Sequence, residues 1–433
     1  MSLSNVVRGK QAYKEVDPLM RVSVVQVASS WRDLREVTDR AEHYRAELAV
    51  LGAGKGIQFQ WHDSQVSAME LAESDALLLL VLSGGTEQLG MSVIARWNGP
   101  VAILAHPGDN ALAAAMEILA LARSVGHAGI IVQGSRGWRE EISLAVTLAK
   151  TYSSLRRAAI GSLGSRDIEV MSPWALEGAV REVWGPQLVH LPLGELVRYS
   201  READADAAQE IASQMQAAAE RVIEPDANSI LGSARIYLGL RRIVEEYHLD
   251  AVAVNCFSLL TPLANTACYA LARLNDEGVP ATCEADIPSC LTMLFMWYLT
   301  SQPSFLANPS SIDLRTGTVV FTHCTIPTQM CSRFSLRSHY ESNLGVGIAG
   351  EPEPGPVTVV RIGGKELRDV YAVGGQLIEC GEREDLCRTQ LAVKFGRPED
   401  ARILLSHPLG NHHMVVRGDW TRQINSYCDY FHS

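Results

Sequence analysis

Seven consecutive apolar residues, Ala76 to Leu82, run without interruption into Ser83-Gly84-Gly85. A strand with one wet face alternates apolar and polar residues, so a strand that is apolar at every position must be covered on both faces. Val101-Ala102-Ile103-Leu104-Ala105 and Gly129-Ile130-Ile131-Val132-Gln133 repeat the pattern, and Ala111–Ala122 lies between them. Val22–Val27, followed by apolar residues at helical spacing from Trp31 to Leu51, opens the series. Apolar strands alternating with helices predict a parallel sheet with helices on both faces.

The rhythm resumes at Ala158–Gly164, after the basic stretch Leu155-Arg156-Arg157, and continues through Gln187–Leu191 and an Ala-rich helical segment near Ala203–Val222. Ser229–Tyr247 is amphipathic and feeds the apolar strand Ala251–Val254; Thr261–Arg273 and Cys290–Leu299 read as further helices. From Thr316 the texture changes to short β-rich runs, among them Val319–Thr322, Val357–Ile362, Gln376–Glu379 and Gln390–Val393, separated by Gly, Pro and Asp. That pattern predicts a small antiparallel sheet or barrel. The expected organisation is an N-terminal α/β domain over 1–155, a second over 156–315 and a β-rich domain over 316–433.

Thirty-eight Lys and Arg stand against 49 Asp and Glu, a formal net charge of -11. A general nucleic-acid binder needs a basic surface, so that class is excluded. A helix needs about 20 apolar residues to cross a bilayer, and the longest apolar runs here have seven, so no membrane association is expected. The first thirty residues carry Arg8, Lys10, Lys14, Glu15, Asp17 and Arg21 and no apolar segment of leader length. All nine Cys lie between Cys256 and Cys428 without a Cys-x-x-Cys pair, which reads as free thiols in a reducing cytoplasm.

Several segments carry candidate chemistry. Ser83-Gly84-Gly85-Thr86-Glu87 follows a buried strand, where α/β folds place ligands, but lacks dinucleotide-binding glycine spacing; alone it reads as a strand-to-helix turn. Cys283-Glu284-Ala285-Asp286 puts two carboxylates between a short strand and an apolar helix. Asp286 suits a helix cap as well as a ligand role, whereas Glu284 has no such local task. His323-Cys324 ends a strand, and His412-His413 follows Pro408-Leu409-Gly410-Asn411. Adjacent side chains of an extended chain point to opposite faces, so one of the two neighbouring His faces any given cleft. One acid and two separated His suggest a hard or borderline divalent ion. Two Arg-rich stretches, Arg333–His339 and Arg361–Lys365, supply either surface charge or a clamp for an anion or polyol.

Asp250–Phe257, Cys283–Asp286, Phe305-Leu306-Ala307-Asn308, Thr322-His323-Cys324 and Gly410-Asn411-His412-His413 together resemble the L-fucose isomerase family, whose broader group includes the arabinose isomerases. Ser83–Glu87 resembles the family's N-terminal turn, so the likeness reaches across most of the chain, and it is stronger to the shorter members. The resemblance implies two Rossmann-like domains followed by a β-barrel. It also implies a Mn²⁺-dependent aldose–ketose isomerase working through an enediolate on a fucose- or arabinose-like sugar, assembled as a trimer or hexamer.

Carried over residue by residue, the resemblance makes Glu284 a metal ligand and the acid/base group, and His412 a further ligand, with His413 in its place if the alignment slips by one. His323 matches the additional metal His of the arabinose isomerases. Asn411, His413, Asp286, Glu87 and Arg337 are the expected substrate contacts. One position departs. The family's second catalytic and metal-binding carboxylate falls on Asn308, whose amide can coordinate through oxygen but cannot act as a base near neutral pH. That departure opens an alternative, a sugar-binding relative that kept the fold and lost the chemistry, and leaves epimerisation or carbon–carbon cleavage as other outcomes of a similar enediolate.

Overall fold

A computed structural model describes residues 20–165 and 173–432. The charged N-terminal stretch with Arg8, Lys10, Lys14, Glu15 and Asp17 lies outside the described residues. The chain divides into two compact units, Met1–Ser153 and Ser154–Ser433. Among the described residues, no helix is long and apolar enough to cross a membrane.

In the first unit, strands β1 (Met20–Val27), β2 (Ile57–His62), β3 (Ala76–Val81), β4 (Val101–Ala105) and β5 (Gly129–Gln133) form a sheet in the order β2-β1-β3-β4-β5. Every pairing in it is parallel. All six residues of β3 are buried, as the uninterrupted apolar run requires. The strand β2, Ile-Gln-Phe-Gln-Trp-His, alternates in polarity and sits at an edge, where one face is only half covered.

The second unit begins with β6 (Ala159–Leu163) and β7 (Gln187–Leu191), then a two-residue strand β8 (Arg221–Val222). With β9 (Ala251–Val254) and β10 (Ala281–Thr282), the parallel sheet reads β10-β9-β6-β7. The chain then passes through the helix Ile287–Thr300 into β11 (Phe305–Asp313) and β12 (Thr318–His323). After β13 (Arg333–Arg337) and β14 (Gly347–Glu351) come β15 (Gly355–Gly363), β16 (Asp369–Cys380), β17 (Thr389–Phe395) and β18 (His413–Arg417). Six of these close into an antiparallel barrel, β11-β12-β17-β16-β15-β18, while β14-β13-β8 make a small separate sheet.

Period-two alternation fills the barrel. Phe305, Ala307, Val319, Phe321, Val357, Val359, Tyr371, Leu391, Val393, Phe395 and Val415 share one buried core. The intervening positions on β15 and β18 face the apolar helix Ile287–Thr300, in which all residues from Ser289 to Met296 are buried. Parallel-sheet α/β architecture followed by an antiparallel barrel is the fold that the texture of the sequence predicts. The helix Ile287–Thr300 lies between the second parallel sheet and the barrel, so its N-terminal turn is the point where the ends of both come together.

Candidate metal centre

The tip of β10 runs into the turn Cys283-Glu284-Ala285-Asp286. Glu284 and Ala285 both adopt left-handed backbone, with φ of 58° and 49°. For non-glycine residues this costs about 1–2 kcal/mol apiece, and such strain persists where the surroundings hold it and concentrates at functional sites. Here the amide of Ala285 donates to Val254 O at 3.0 Å, which pins the turn to the end of β9. The next residue, Asp286, caps the helix by accepting from Ser289 N at 3.1 Å. The strained turn thus holds the Glu284 carboxylate between a strand end and a helix start.

His323, the last residue of β12, and His412, the residue before β18, bring two imidazoles to the same place. Cys283, Glu284, His323 and His412 each offer one donor atom, and these atoms lie within 4.8 Å of one another. Glu284 Oε1 stands 3.4 Å from His412 Nε2. Cys283 Sγ stands 3.5 Å from His323 Nε2, and Thr325 Oγ1 is 3.0 Å from that ring's Nδ1. His412 is fully buried, with Nδ1 donating to Asp286 Oδ2 at 2.9 Å.

Asp286 is the hub of a buried chain. Besides His412 and the helix amide, its oxygens face Arg361 Nη1 at 3.3 Å and Nη2 at 3.4 Å. Arg361 is 2% exposed and also donates to Ser289 Oγ. A carboxylate that accepts from Nδ1 fixes the tautomer of a histidine and leaves Nε2 to face a ligand. Arg361 in turn balances the carboxylate charge, which would otherwise stand unpaired in the interior.

Charge states follow from burial. Burial first and then His412 push the His323 imidazole down to about 3, so it is neutral near pH 7. Burial acts the same way on His412, but hydrogen bonds to Asp286 and Glu284 outweigh it and hold that ring above the usual imidazole range. The Cys283 thiol is held well above its ordinary value, chiefly by its hydrogen bond with Cys256 and then by burial.

The remaining sequence candidates separate clearly. Asn308 lies on β11, paired with Thr322, and its Oδ1 is buried without a hydrogen-bond partner among the described residues. The preceding residue, Ala307, pairs with His413, the first residue of β18, which His412 directly precedes. His413 points the other way, into the barrel core. Its ring lies 6.2 Å from that of Phe321 and 5.7 Å from that of Tyr371, and its Nδ1 donates to Asn411 O at 3.2 Å. The Asn411 amide nitrogen is 3.4 Å from His412 Nε2. Arg337 ends β13 and is held by Glu224 and Glu384, its Nη2 at 2.5 Å and 2.9 Å from them. Glu87 begins the helix Glu87–Ile94 in the first unit.

Sequence reasoning left Arg361 between surface charge and a clamp for an anion or polyol, and read Cys283 only as part of a motif. Neither signal was local: the partner of Arg361 lies 75 positions away, and Cys283 meets His323 only once the barrel closes.

The donors present suit a divalent cation. One carboxylate oxygen and two imidazole nitrogens are the usual set for a borderline ion, and a buried amide oxygen without a partner, that of Asn308, stands on the strand next to them. His323 is already neutral, as coordination requires. Glu284, His323 and His412 could hold such an ion, with Cys283 as a softer fourth donor.

No family model matches the chain. Over 205 residues it is 25% identical to the sulfoquinovose isomerase of Clostridium sp. (strain MSTE9), an alignment covering 46% of this chain and 44% of that protein. Over 232 residues it is 21% identical to the sulfoquinovose isomerases of Priestia aryabhattai and Priestia megaterium (strain ATCC 12872 / QMB1551), covering 52% of this chain and 51% of each. The chain spans about half the length of the curated relatives it matches.

Proposed function

We propose that this chain is a metal-dependent sugar isomerase that interconverts an aldose and a ketose. The observation that carries the reading is the convergence of Glu284, His323 and His412 at one buried point, with Asp286 fixing His412 from behind. The likeness to sulfoquinovose isomerases supports the class of reaction. The sugar is taken to be fucose- or arabinose-like or a derivative, with sulfoquinovose, for which the relatives are named, among those to test.

A divalent ion bound at such a point supplies Lewis-acid polarisation of a carbonyl and stabilises a negative oxygen. The protein's own part is the proton. Glu284, half-buried at the rim of the cluster, is the base that takes the proton from C2 and returns it at C1, while the hydroxyl proton passes from O2 to O1 of the same sugar. His412 stays oriented through Asp286 and Arg361, and the strained turn keeps the carboxylate in place. Mn²⁺ is the first ion to test. Zn²⁺ is the second, because Cys283 adds a thiol to the donor set. The free state of all nine cysteines suits a cytoplasmic setting, and a homo-oligomer is part of the same proposal.

One observation favours a second reading. Asn308 is an amide at the position that the resemblance to the L-fucose isomerase family gives to a second carboxylate, so the chain could bind a sugar without turning it over. The two readings separate in one experiment: the full chain, purified without chelator, is assayed for metal content and then incubated with Mn²⁺ and a panel of aldoses and ketoses in heavy water. Bound or titratable metal with deuterium appearing at C2 is expected. Metal-free protein that takes up no divalent ion overturns the isomerase reading, and sugar-induced thermal stabilisation without exchange favours the binding protein.

A further inference from the structure

Neighbouring side chains on an extended strand point to opposite faces, so Cys283 and Glu284 would diverge if β10 simply continued. Left-handed backbone at Glu284 and Ala285 turns the chain instead. The donors of these two adjacent residues then meet those of His323 and His412, all four within 4.8 Å of one another. The strained turn therefore delivers a thiol to the cluster together with a carboxylate.

Two separations bear on the kind of ion this point suits. Cys283 Sγ is 3.5 Å from His323 Nε2, and Glu284 Oε1 is 3.4 Å from His412 Nε2. Zinc-type bonds of about 2.3 Å to sulfur and about 2.0–2.1 Å to nitrogen or oxygen, at tetrahedral angles, set such pairs about 3.6 Å and about 3.4 Å apart. The right angles of an octahedral site would set the same pairs about 3.1 Å and about 2.9 Å apart. Both pairs stand at the tetrahedral values.

The two rings are held for this task from behind. Thr325 Oγ1 lies 3.0 Å from His323 Nδ1, and Asp286 Oδ2 lies 2.9 Å from His412 Nδ1, so each ring turns Nε2 toward the cluster. Charge points the same way. Asp286 is paired with Arg361 and Asn308 is neutral, so Glu284 alone balances half of a divalent charge. A thiolate at Cys283 supplies the other half.

We propose that Cys283 binds the divalent ion through its sulfur, completing with Glu284, His323 and His412 a four-donor site that prefers Zn²⁺ or Co²⁺ to Mn²⁺. The assignment rests on the metal-dependent reading above and names the ligand that stands in for the carboxylate missing at Asn308. As the sulfur–metal bond forms, the S–H bond breaks and its proton leaves to solvent. The Glu284 side chain is 27% exposed, whereas Cys283, His323 and His412 are buried. Glu284 is thus the donor that a sugar oxygen displaces, which frees its carboxylate to move the proton, while three protein ligands keep the ion as in catalytic zinc sites.

The full chain, stripped with chelator under reductant, is loaded with Co²⁺, whose thiolate complexes absorb strongly in the near ultraviolet. The unaltered chain is expected to show the thiolate–cobalt band and to lose it to Zn²⁺ but not to equimolar Mn²⁺. In Cys283→Ser the band disappears and the preference for Zn²⁺ over Mn²⁺ falls by about tenfold or more, with the melting temperature of the metal-free protein little changed. Cys283→Asp keeps the charge but replaces sulfur by oxygen, so it binds without the band and shifts the preference toward Mn²⁺. The band persists in Cys256→Ser, which alters the thiol beside Cys283. Cobalt bound by the unaltered chain without the band overturns the assignment and leaves the isomerase reading standing. A band that survives in Cys283→Ser or Cys283→Asp, or that is lost in Cys256→Ser, also overturns it. A chain that takes up none of the three ions removes the metal-dependent reading, and this assignment with it.

Discussion

Asp286 and His412, 126 positions apart in the chain, are joined by a 2.9 Å hydrogen bond from the imidazole Nδ1 to the carboxylate. Both side chains are fully buried. The bond ties the N-terminal turn of the helix Ile287–Thr300 to the strand end that carries His412. It makes the orientation of one candidate ligand depend on the ion pair of Asp286 with Arg361.

Replacing Asp286 by Asn separates orientation from capping. Asparagine still caps the helix, but the charge that balances Arg361 and polarises His412 is gone. Affinity for a divalent ion is expected to fall about 10- to 100-fold, measured by titration calorimetry. Denaturant unfolding of the metal-free chain should show a loss of about 3–5 kcal/mol, as when a buried pair loses one partner. Unchanged metal affinity would detach Asp286 from the site.

The neighbouring histidines should behave oppositely. His412→Ala removes the Nε2 that faces Glu284 and leaves no donor in its place, and bound metal should drop to background. His413→Leu replaces a ring packed against Phe321 and Tyr371 with an apolar group of similar size, and metal content should not change. Burial first and Arg361 second hold His413 down to about 4, so it is a neutral core group at working pH. Metal loss in His413→Leu with retention in His412→Ala would transfer the ligand role by one residue.

Much of the fold was legible because apolar runs report burial directly: β4, β5, β7 and β9 coincide with the runs read from the chain. The strand β11 was not legible, because Asn308-Pro309-Ser310-Ser311 reads as a loop; the barrel absorbs it through a register shift between Pro309 and Ser311. Glu284, His323 and His412 were individually visible as residues with no local task. Their convergence and the buried role of Arg361 were not, since each depends on groups brought together by barrel closure.

Gly410 offers a test of the buried chain from the backbone side. Its φ is 145°, and a Cβ there would meet Arg361 Nη2 at 2.6 Å. Arg361 is fully enclosed and cannot swing aside freely. Gly410→Ala is therefore expected to press the guanidinium against Asp286, costing about 1–3 kcal/mol in denaturant unfolding and weakening metal binding. Combined with Asp286→Asn, the loss should be smaller than the sum, because both act on one network. Strict additivity would show that Gly410 acts elsewhere.

Asn308 gives the sharpest test, because the sign of its effect should depend on the ion. The amide oxygen is buried without a hydrogen-bond partner among the described residues, on the strand next to His412. A carboxylate in its place puts one oxygen where the buried Oδ1 lies without a hydrogen-bond partner and, without an ion, adds a negative charge with no bound cation to balance it. In chelator-treated protein, Asn308→Asp is therefore expected to lower stability by about 1–3 kcal/mol. With Mn²⁺ present, the added negative charge lies near the proposed ligands Glu284 and His412, and binding should tighten by about tenfold, since charge count sets much of the affinity for a hard cation. Melting curves with and without the ion should cross: the variant melts lower than the unaltered chain when metal-free and higher when loaded. If exchange at C2 rises as well, the missing acid/base group was the limit on turnover. If both curves coincide with those of the unaltered chain, Asn308 lies outside the coordination sphere, and Glu284, His323 and His412 hold the ion without it.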